Sequence, residues 1–230
     1  MQNTFESPTT AEDWIRSVED KKYDAFVRKD FSERIQKWLG LLSDGPIVEL
    51  GCGTGVAASL VASGSKYYGV DSSQHLLDYA VQKNAAANRV FIRGDVQALP
   101  LSDKTAAGVF SVNTWLQIPN LVLAARELYR ILQPKGRFLI VSTNPDFFPY
   151  LKYFLKNYVE TKNSCRGDYR ATDNLLVRDM VFYKHSLDAL MTSFHQAGLK
   201  LEGVPIYYSN VPFAGKNVPY NVEMSGYKLG

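Results

Sequence analysis

The sequence predicts an α/β fold built on a parallel, doubly wound sheet, and three observations carry that prediction. Short apolar, strand-like runs alternate with helical stretches between residues 47 and 142, the pattern of repeated βαβ units. A glycine-rich turn directly follows the first of these runs and opens the next helical stretch, where such sheets place their ligands. Hydrophobic residues make up 46% of the 230 positions, enough for the core of one such domain.

The first forty residues read as two helices. Thr10 is placed to cap the first, with Asp13 completing a capping box, and Trp14, Val18, Phe26 and Val27 form a loose apolar stripe. The second begins near Phe31 and carries Ile35, Trp38, Leu39 and Leu42 at helical spacing, until Gly45-Pro46 ends it. The alternation then starts with a strand over Ile47–Leu50 and a helix from Val56 to Ala62. Tyr67–Val70 is a second strand, and Asp71-Ser72-Ser73 leads into a helix carrying Leu76, Leu77 and Ala80. Arg89–Ile92 and Ala107–Val112 are the third and fourth strands. A helix over Leu121–Leu132 shows Leu121, Ala125, Leu128 and Leu132 on one face, Gln133–Gly136 stops it, and Arg137–Ser142 is the fifth strand. Right-handed crossovers then cover both faces of the sheet with helices.

From Asn144 to Met180 the rhythm breaks. The stretch is rich in Tyr, Phe, Lys and Asn, and a helix is expected around Phe147–Val159, followed by a less regular part. Ser186 then caps a helix through Phe194 that Gly198 ends, and two strand-like runs, near Leu199–Tyr208 and Val218–Lys228, finish the chain.

Charge and cysteine content narrow the partners. Net charge is +3, from 26 basic and 23 acidic side chains, with no basic run longer than Lys21-Lys22, so no nucleic-acid partner is expected. The two cysteines, Cys52 and Cys165, fit neither a disulfide framework nor a zinc spacing, which suggests a reduced, cytoplasmic setting. Residues 1–10 lack an apolar signal core, and no apolar run approaches the roughly 20 residues needed to span a bilayer, so no membrane association is expected. The expected partner is a small molecule, and the expected assembly a monomer or homodimer.

The chemistry centres on Glu49-Leu50-Gly51-Cys52-Gly53-Thr54-Gly55. Glycines let the backbone turn tightly and approach a ligand, and the helix start after them offers unpaired N–H groups. A nicotinamide-dinucleotide fingerprint, G-x-G-x-x-G, would need a glycine where Val56 stands. A P-loop would need a Gly-Lys-Ser/Thr that does not follow. Asp71 comes 22 residues after Glu49, at the end of the second strand. A carboxylate there accepts hydrogen bonds from ribose hydroxyls; the alternative is a cap, by Asp71 or Ser72, for the next helix. In Arg93–Pro100, Asp95 is suited to accept from an exocyclic amine while the adjacent backbone N–H donates to a ring nitrogen, together reading an adenine edge. Taken alone, Gly94-Asp95 reads equally as a turn.

These segments, with Gly69-Val70-Asp71-Ser72-Ser73 and Glu127–Arg137, closely resemble the class I S-adenosylmethionine-dependent methyltransferase family, small-molecule type, over about Pro46 to Ser142. The resemblance implies a Rossmann-like sheet of seven strands with the last antiparallel, and S-adenosylmethionine as cofactor. It assigns Glu49 and the loop residues Gly51, Cys52, Gly53 and Gly55 to the methionine end. It assigns Asp71 to the ribose, Ser72 to the neighbourhood of the adenine, Asp95 and Val96 to the adenine edge, and Asn113 to the vicinity of the sulfonium and amino group. Many relatives carry a bulky apolar residue on the adenine where this chain has Ser72. Tyr23-Asp24-Ala25 is similar to a segment that closes over the cofactor, with Tyr23 towards its carboxylate; a core tyrosine is the alternative.

The implied organisation is a helical cap or lid over residues 1–44, a cofactor-binding core over 45–144 and 181–230, and an inserted substrate lid over 145–180. His185, in Phe182–Leu187, is the candidate general base, against the plainer reading of a surface histidine before a helix cap. His75 and His195 read as structural or exposed. Phe147, Phe148, Tyr150, Tyr153, Phe154, Tyr158 and Tyr169 either line an acceptor pocket or cover a small core of their own. Asn113-Thr114-Trp115-Leu116 is not the Asn/Asp-Pro-Pro-Tyr/Phe motif of exocyclic-amine methylation, and no acidic cluster suggests a metal. The expected function is transfer of a methyl group from S-adenosylmethionine to a small-molecule oxygen or nitrogen acceptor, aromatic or natural-product-like in character. The alternatives are an aminopropyl transferase-like enzyme, which needs acidic residues where Asn113-Thr114-Trp115 stands, and a catalytically silent cofactor-binding protein of the same fold.

Overall fold

Successive residues of the central strands bury themselves on opposite faces of one sheet. Val48, Val109, Phe138 and Ile140 join a core on one side, while Ile47, Phe110, Leu139 and Val141 join a second core on the other. This period of two, with both faces covered, is the signature of a doubly wound sheet. A computed structural model of the chain describes residues 4–20, 31–170, 176–213 and 215–230. Its strands are β1 (Ile47–Leu50), β2 (Tyr67–Asp71), β3 (Arg89–Arg93), β4 (Ala106–Val112), β5 (Leu132–Thr143), β6 (Leu155–Glu160), β7 (Ser164–Arg170), β8 (Leu176–Tyr183), β9 (Leu199–Leu201), β10 (Ile206–Phe213) and β11 (Lys216–Lys228). Its α-helices are α1 (Pro8–Glu19), α2 (residues 31–39), α3 (Gln74–Asn84), α4 (Leu121–Ile131) and α5 (Leu187–Gln196).

The large sheet has the order β3-β2-β1-β4-β5-β11-β10. β1 to β5 pair in parallel, and β11 runs antiparallel to β5, β9 and β10. β9 and β10 both lie along β11, so the edge position is one strand broken at residues 202–205, where Pro205 cannot donate to a ladder. Eight strand segments thus fill the seven expected positions, and the last strand is antiparallel as expected. α4 and α5 cover one face, through Leu121, Ala125, Leu128, Leu190 and Phe194. α2, through Phe31, Ile35 and Trp38, covers the other.

Several local expectations are corrected. α1 starts at Pro8 behind Ser7, because proline is preorganised for the first helical turn. Thr10 and Asp13 therefore lie inside the helix, buried, and Asp13 bonds Arg178 and Arg16 instead of a helix start. The helix expected over Val56–Ala62 is a short 3-10 helix, Val56–Leu60, opened by Gly55 and closed by an extended Val61. α3 is capped by Ser73, whose hydroxyl accepts from the Leu76 N–H at 3.4 Å, and not by Asp71 or Ser72. The helix expected around Phe147–Val159 is divided between a 3-10 helix, Pro145–Tyr153, and strand β6. Pro149 removes an N–H that an α-helical ladder needs. The less regular part is an antiparallel sheet of β6, β7 and β8, with Leu155, Cys165, Val177, Met180 and Phe182 in a third core beneath it.

α1 joins this small sheet to the large one. The Asp13 carboxylate accepts from Arg178 on β8 through Nε at 2.6 Å, Nη2 at 2.9 Å and the backbone N–H at 3.1 Å. Thr4 Oγ1 accepts from the Val181 N–H at 3.1 Å.

Candidate active site

A cleft opens beyond the carboxyl ends of β1, β2 and β4, where β1 lies between β2 and β4 and the strand order reverses. Ligands of open α/β sheets bind at this switch point. Gly51 and Gly53, after β1, line its floor; Asp71 and Ser72, after β2, line one side; Asp95 and Val96, after β3, line the outer end; Asn113 and Thr114, after β4, line the inner end. Seven residues that the sequence singled out, Gly51, Gly53, Asp71, Ser72, Asp95, Val96 and Asn113, therefore meet in one cavity.

The loop after β1 needs glycine for steric reasons that differ by position. Gly51 has φ 72°, and a Cβ there would lie 2.1 Å from Thr114 Oγ1; only glycine lets the loop close on the turn after β4. Gly53 has φ 50° and no atom within 3.8 Å of where a Cβ would stand, the nearest being Trp14 Nε1. A side chain there would project towards the cleft rather than strike the core.

Asp71 fastens this loop to β2. Its Oδ2 accepts from the Gly53 N–H at 2.8 Å and its Oδ1 from the Ser73 N–H at 2.9 Å. Burial raises the carboxyl above its ordinary range, and those backbone N–H groups pull the other way. A carboxylate offers about four acceptor positions, so room remains for a further donor beside these backbone N–H groups. Asp95 turns its Oδ1 onto the Gln97 N–H at 2.8 Å while its own carbonyl accepts from Ala98, so the turn reading of this residue holds for the backbone. Asn113 sits at φ 53°, and its Oδ1 is buried with no hydrogen-bond partner among the described residues. The residue lines the cleft, and this atom is a buried acceptor left for a further donor.

Glu49, Cys52 and Gly55 are placed differently from the loop residues that line the cleft. The alternation along β1 sends the Glu49 side chain to the face covered by α2, away from the cavity. There it is buried and accepts a hydrogen bond from the Tyr67 hydroxyl. Burial pushes its pKa up to about 8, with the nearby Asp71 charge adding to the rise and the Tyr67 bond opposing it. Cys52 is buried beside β2, with Sγ 2.8 Å from where a Gly69 Cβ would be. Gly55 closes onto Phe91 and Ala80. These three shape the loop from beneath. Tyr23 lies outside the described residues.

The far wall comes from the N-terminal segment and β8, through residues the sequence did not assign to the site one by one. Thr4, Phe5 and Trp14 from the N-terminal segment, Gln117 and Ile118 from the turn after β4, and Val181 and Tyr183 from β8 all line the cleft. The sequence drew attention to Phe182–Leu187, and strand alternation sharpens that reading: Val181 and Tyr183 face the cavity while Phe182 enters the core. His185 stands behind this wall. Its ring stacks on Tyr183, with centroids 6.1 Å apart, and its Nε2 lies 2.7 Å from the Ile118 carbonyl. The carbonyl can only accept, so Nε2 carries the proton and Nδ1 the lone pair. Burial lowers its pKa, opposed by the Ile118 carbonyl, which favours the neutral ring. The aromatic residues of the insertion do not line the cleft: Phe147 packs against Tyr150, Phe154 and Tyr220 in the third core, and Tyr153 is exposed. They cover a core of their own.

Glu127 and Arg130, from the last motif, hold the loop after β3. Glu127 accepts from the Leu99 N–H at 2.6 Å, and Arg130 donates to Glu127 and to the carbonyls of Leu99 and Leu101.

This arrangement, a Rossmann-like sheet with a glycine loop and two acids around one cleft, defines a nucleoside-cofactor site. Residues 48–140 match the family described as a methyltransferase domain. The chain is 26% identical over 173 residues to the demethylmenaquinone methyltransferase of Symbiobacterium thermophilum, covering 67% of this chain and 69% of that protein. It is 30% identical over 104 residues to the fatty-acid O-methyltransferase of Mycolicibacterium smegmatis, covering 44% of this chain and 38% of that one. It shares its fold with the PH0226 protein of Pyrococcus horikoshii, with a TM-score of 0.72 at 17% identity over 92% of this chain and 93% of that one. By this match and these likenesses the chain is similar to the class I S-adenosylmethionine-dependent methyltransferases. It is an enzyme of the transferase class, and its methyl donor is S-adenosylmethionine.

Proposed function

We propose that this cleft transfers the methyl group of S-adenosylmethionine to an oxygen or nitrogen of a small-molecule acceptor. The observation that supports it best is Asn113, which lines the same cavity as Asp71 and Gly53 and carries at Oδ1 a buried acceptor without a partner among the described residues. A cofactor with an ammonium group and ribose hydroxyls offers the donors these atoms lack. When bound, its sulfonium supplies an activated methyl group. The chain's residues bind, orient and keep out water. Asp71 accepts from the ribose hydroxyls while holding the loop through Gly53. Asn113 Oδ1 accepts from the ammonium, and Asp95 with the Val96 N–H meets the adenine edge. Glu49 works from beneath, through the loop. Tyr23, outside the described residues, is assigned to the cofactor's carboxylate by the resemblance to the family alone.

The acceptor side is formed by Thr4, Phe5 and Trp14, within the cap proposed over residues 1–44, and by Val181 and Tyr183, where the insertion proposed over 145–180 returns to the core proposed over 45–144 and 181–230. His185, which does not itself line the cleft, receives the acceptor's proton at Nδ1 through one intervening water, its ring held by the Ile118 carbonyl. A small-molecule acceptor is supported by the two relatives, whose names give demethylmenaquinone and a fatty acid as what they act on. The test is a screen of small-molecule acceptors with S-adenosylmethionine, read by product mass. Methylated product with at least one acceptor is expected, its yield falling in His185→Ala. A protein that binds the cofactor yet methylates peptides or nucleic acids and no small molecule would overturn the reading.

A further inference from the structure

We propose that the acceptor half of the cleft takes an uncharged small molecule with a flat aromatic ring, seated against a wall built jointly by the N-terminal segment and β8. The inference rests on the cleft being the methyl-transfer site, and it specifies what enters beside the cofactor.

The wall presents Phe5 and Trp14 from one end of the chain and Val181 and Tyr183 from the inserted sheet. The Phe5 and Trp14 rings meet edge to face, with centroids 5.6 Å apart and planes at 61°. Ring faces and edges of this kind suit another flat ring. The wall is a fixed construction. Asp13, one residue from Trp14, has a side chain 1% exposed and accepts three hydrogen bonds from Arg178, while Thr4 accepts from the Val181 backbone within the lined stretch of β8.

Those bonds also settle the charge balance. Burial would raise the Asp13 carboxyl, but the Arg178 and Arg16 hydrogen bonds outweigh it and hold the group below its ordinary range. The charge is consumed within the joint. Among the described residues lining the cleft, the charged side chains are Asp71 and Asp95, both at the cofactor end. A carboxylate or ammonium entering beside Trp14 and Tyr183 sheds its water and gains no countercharge, a loss of several kcal/mol in order of magnitude. A neutral ring loses little and covers apolar surface.

The experiment uses the full chain saturated with S-adenosylhomocysteine and three probes of one shape: 1-naphthol, 1-naphthoate and 1-naphthylmethylammonium. Binding is read by quenching of tryptophan fluorescence and by calorimetry. The expected result is that 1-naphthol binds at least about tenfold more tightly than either charged probe. A charged probe that binds as tightly, or no saturable binding of 1-naphthol, overturns the proposal. Val181→Lys is expected to move the preference towards 1-naphthoate with S-adenosylhomocysteine affinity unchanged; an unchanged order in that variant overturns the proposal. Should Val181→Lys fail to fold, Tyr183→Ala is expected to weaken 1-naphthol about fivefold or more, and equal binding has the same overturning force. Failure of the functional reading looks different: the wild-type protein then methylates no small molecule in the acceptor screen, whatever the order in which it binds the three probes.

Discussion

The two halves of the cleft are made of different material. The cofactor half is built largely from backbone: glycine turns at positive φ, strand ends, and Asp71 bonding the N–H groups of Gly53 and Ser73. The acceptor half is built from side chains of distant segments, Phe5 and Trp14 against Val181 and Tyr183, joined by the Asp13–Arg178 pair. A backbone-built half tolerates few residue types at each position and so leaves a local mark. A side-chain-built half tolerates repacking, which lets the acceptor change while the donor stays.

This difference can be broken at defined points, beginning with the largest effect. Asp71→Ala removes the charge-assisted bonds to Gly53 of the loop and to Ser73, together with the proposed ribose acceptor. Affinity for S-adenosylhomocysteine is expected to fall on the order of 100-fold or more by calorimetry, at about 1.5–3 kcal/mol for each bond to a charged group. Because Asp71 also secures Gly53, a lower melting temperature should accompany the loss.

Gly51→Ala places a methyl group 2.1 Å from Thr114 Oγ1 at a φ that disfavours side chains, and should cost roughly 2–4 kcal/mol in denaturant unfolding. Adding Thr114→Ala should recover the steric part and leave the cost of the positive φ. No recovery in the double variant would mean that the turn after β4 does not set this constraint.

Asp13→Asn tests the other half. Leaving Arg178 without its charged partner should destabilise the chain by about 1–3 kcal/mol, while S-adenosylhomocysteine affinity stays within about threefold. An equal loss of cofactor affinity would mean that the two halves are not separable.

Glu49→Gln gives the smallest effect at neutral pH and the clearest sign. The folded chain holds the Glu49 proton up to about pH 8, whereas an exposed glutamate releases it near pH 4.3. Between these values the folded state binds more protons than the unfolded one, so stability falls as pH rises through the window, by at most about 1.4 kcal/mol per pH unit. Denaturation midpoints from pH 5 to 8.5 should slope downward in the wild type and less so in Glu49→Gln. The raised carboxyl of Asp71 leaves a residual slope of the same sign in both.

The sequence made the sheet legible because each strand is a short apolar run bounded by glycine, proline or a polar turn. It made Gly51, Gly53, Asp71, Asp95 and Asn113 legible because strand ends at a switch point are few. Glu49 and Cys52 show where that stops. Their spacing marks the loop, but only the alternation of β1 reveals which face each side chain takes. Phe5, Trp14 and Val181 were hidden because nothing local to residue 14 says that it meets residue 181. The small sheet of β6, β7 and β8 was hidden because charged residues such as Lys156, Arg166, Asp168, Arg178 and Asp179 weaken its alternation, and because the aromatic residues before it read as helix. His185 is two positions past the lining residue Tyr183 and four past Val181, beyond the end of β8.

The most direct test is calorimetric titration of the wild-type chain with S-adenosylhomocysteine, with Asn113→Ala beside it. Saturable binding of one equivalent is predicted, weakened about tenfold in the variant by loss of one hydrogen bond to a charged group. Absence of saturable binding to the wild-type chain, or undiminished binding by Asn113→Ala and Asp71→Ala alike, would contradict the assignment of this cleft.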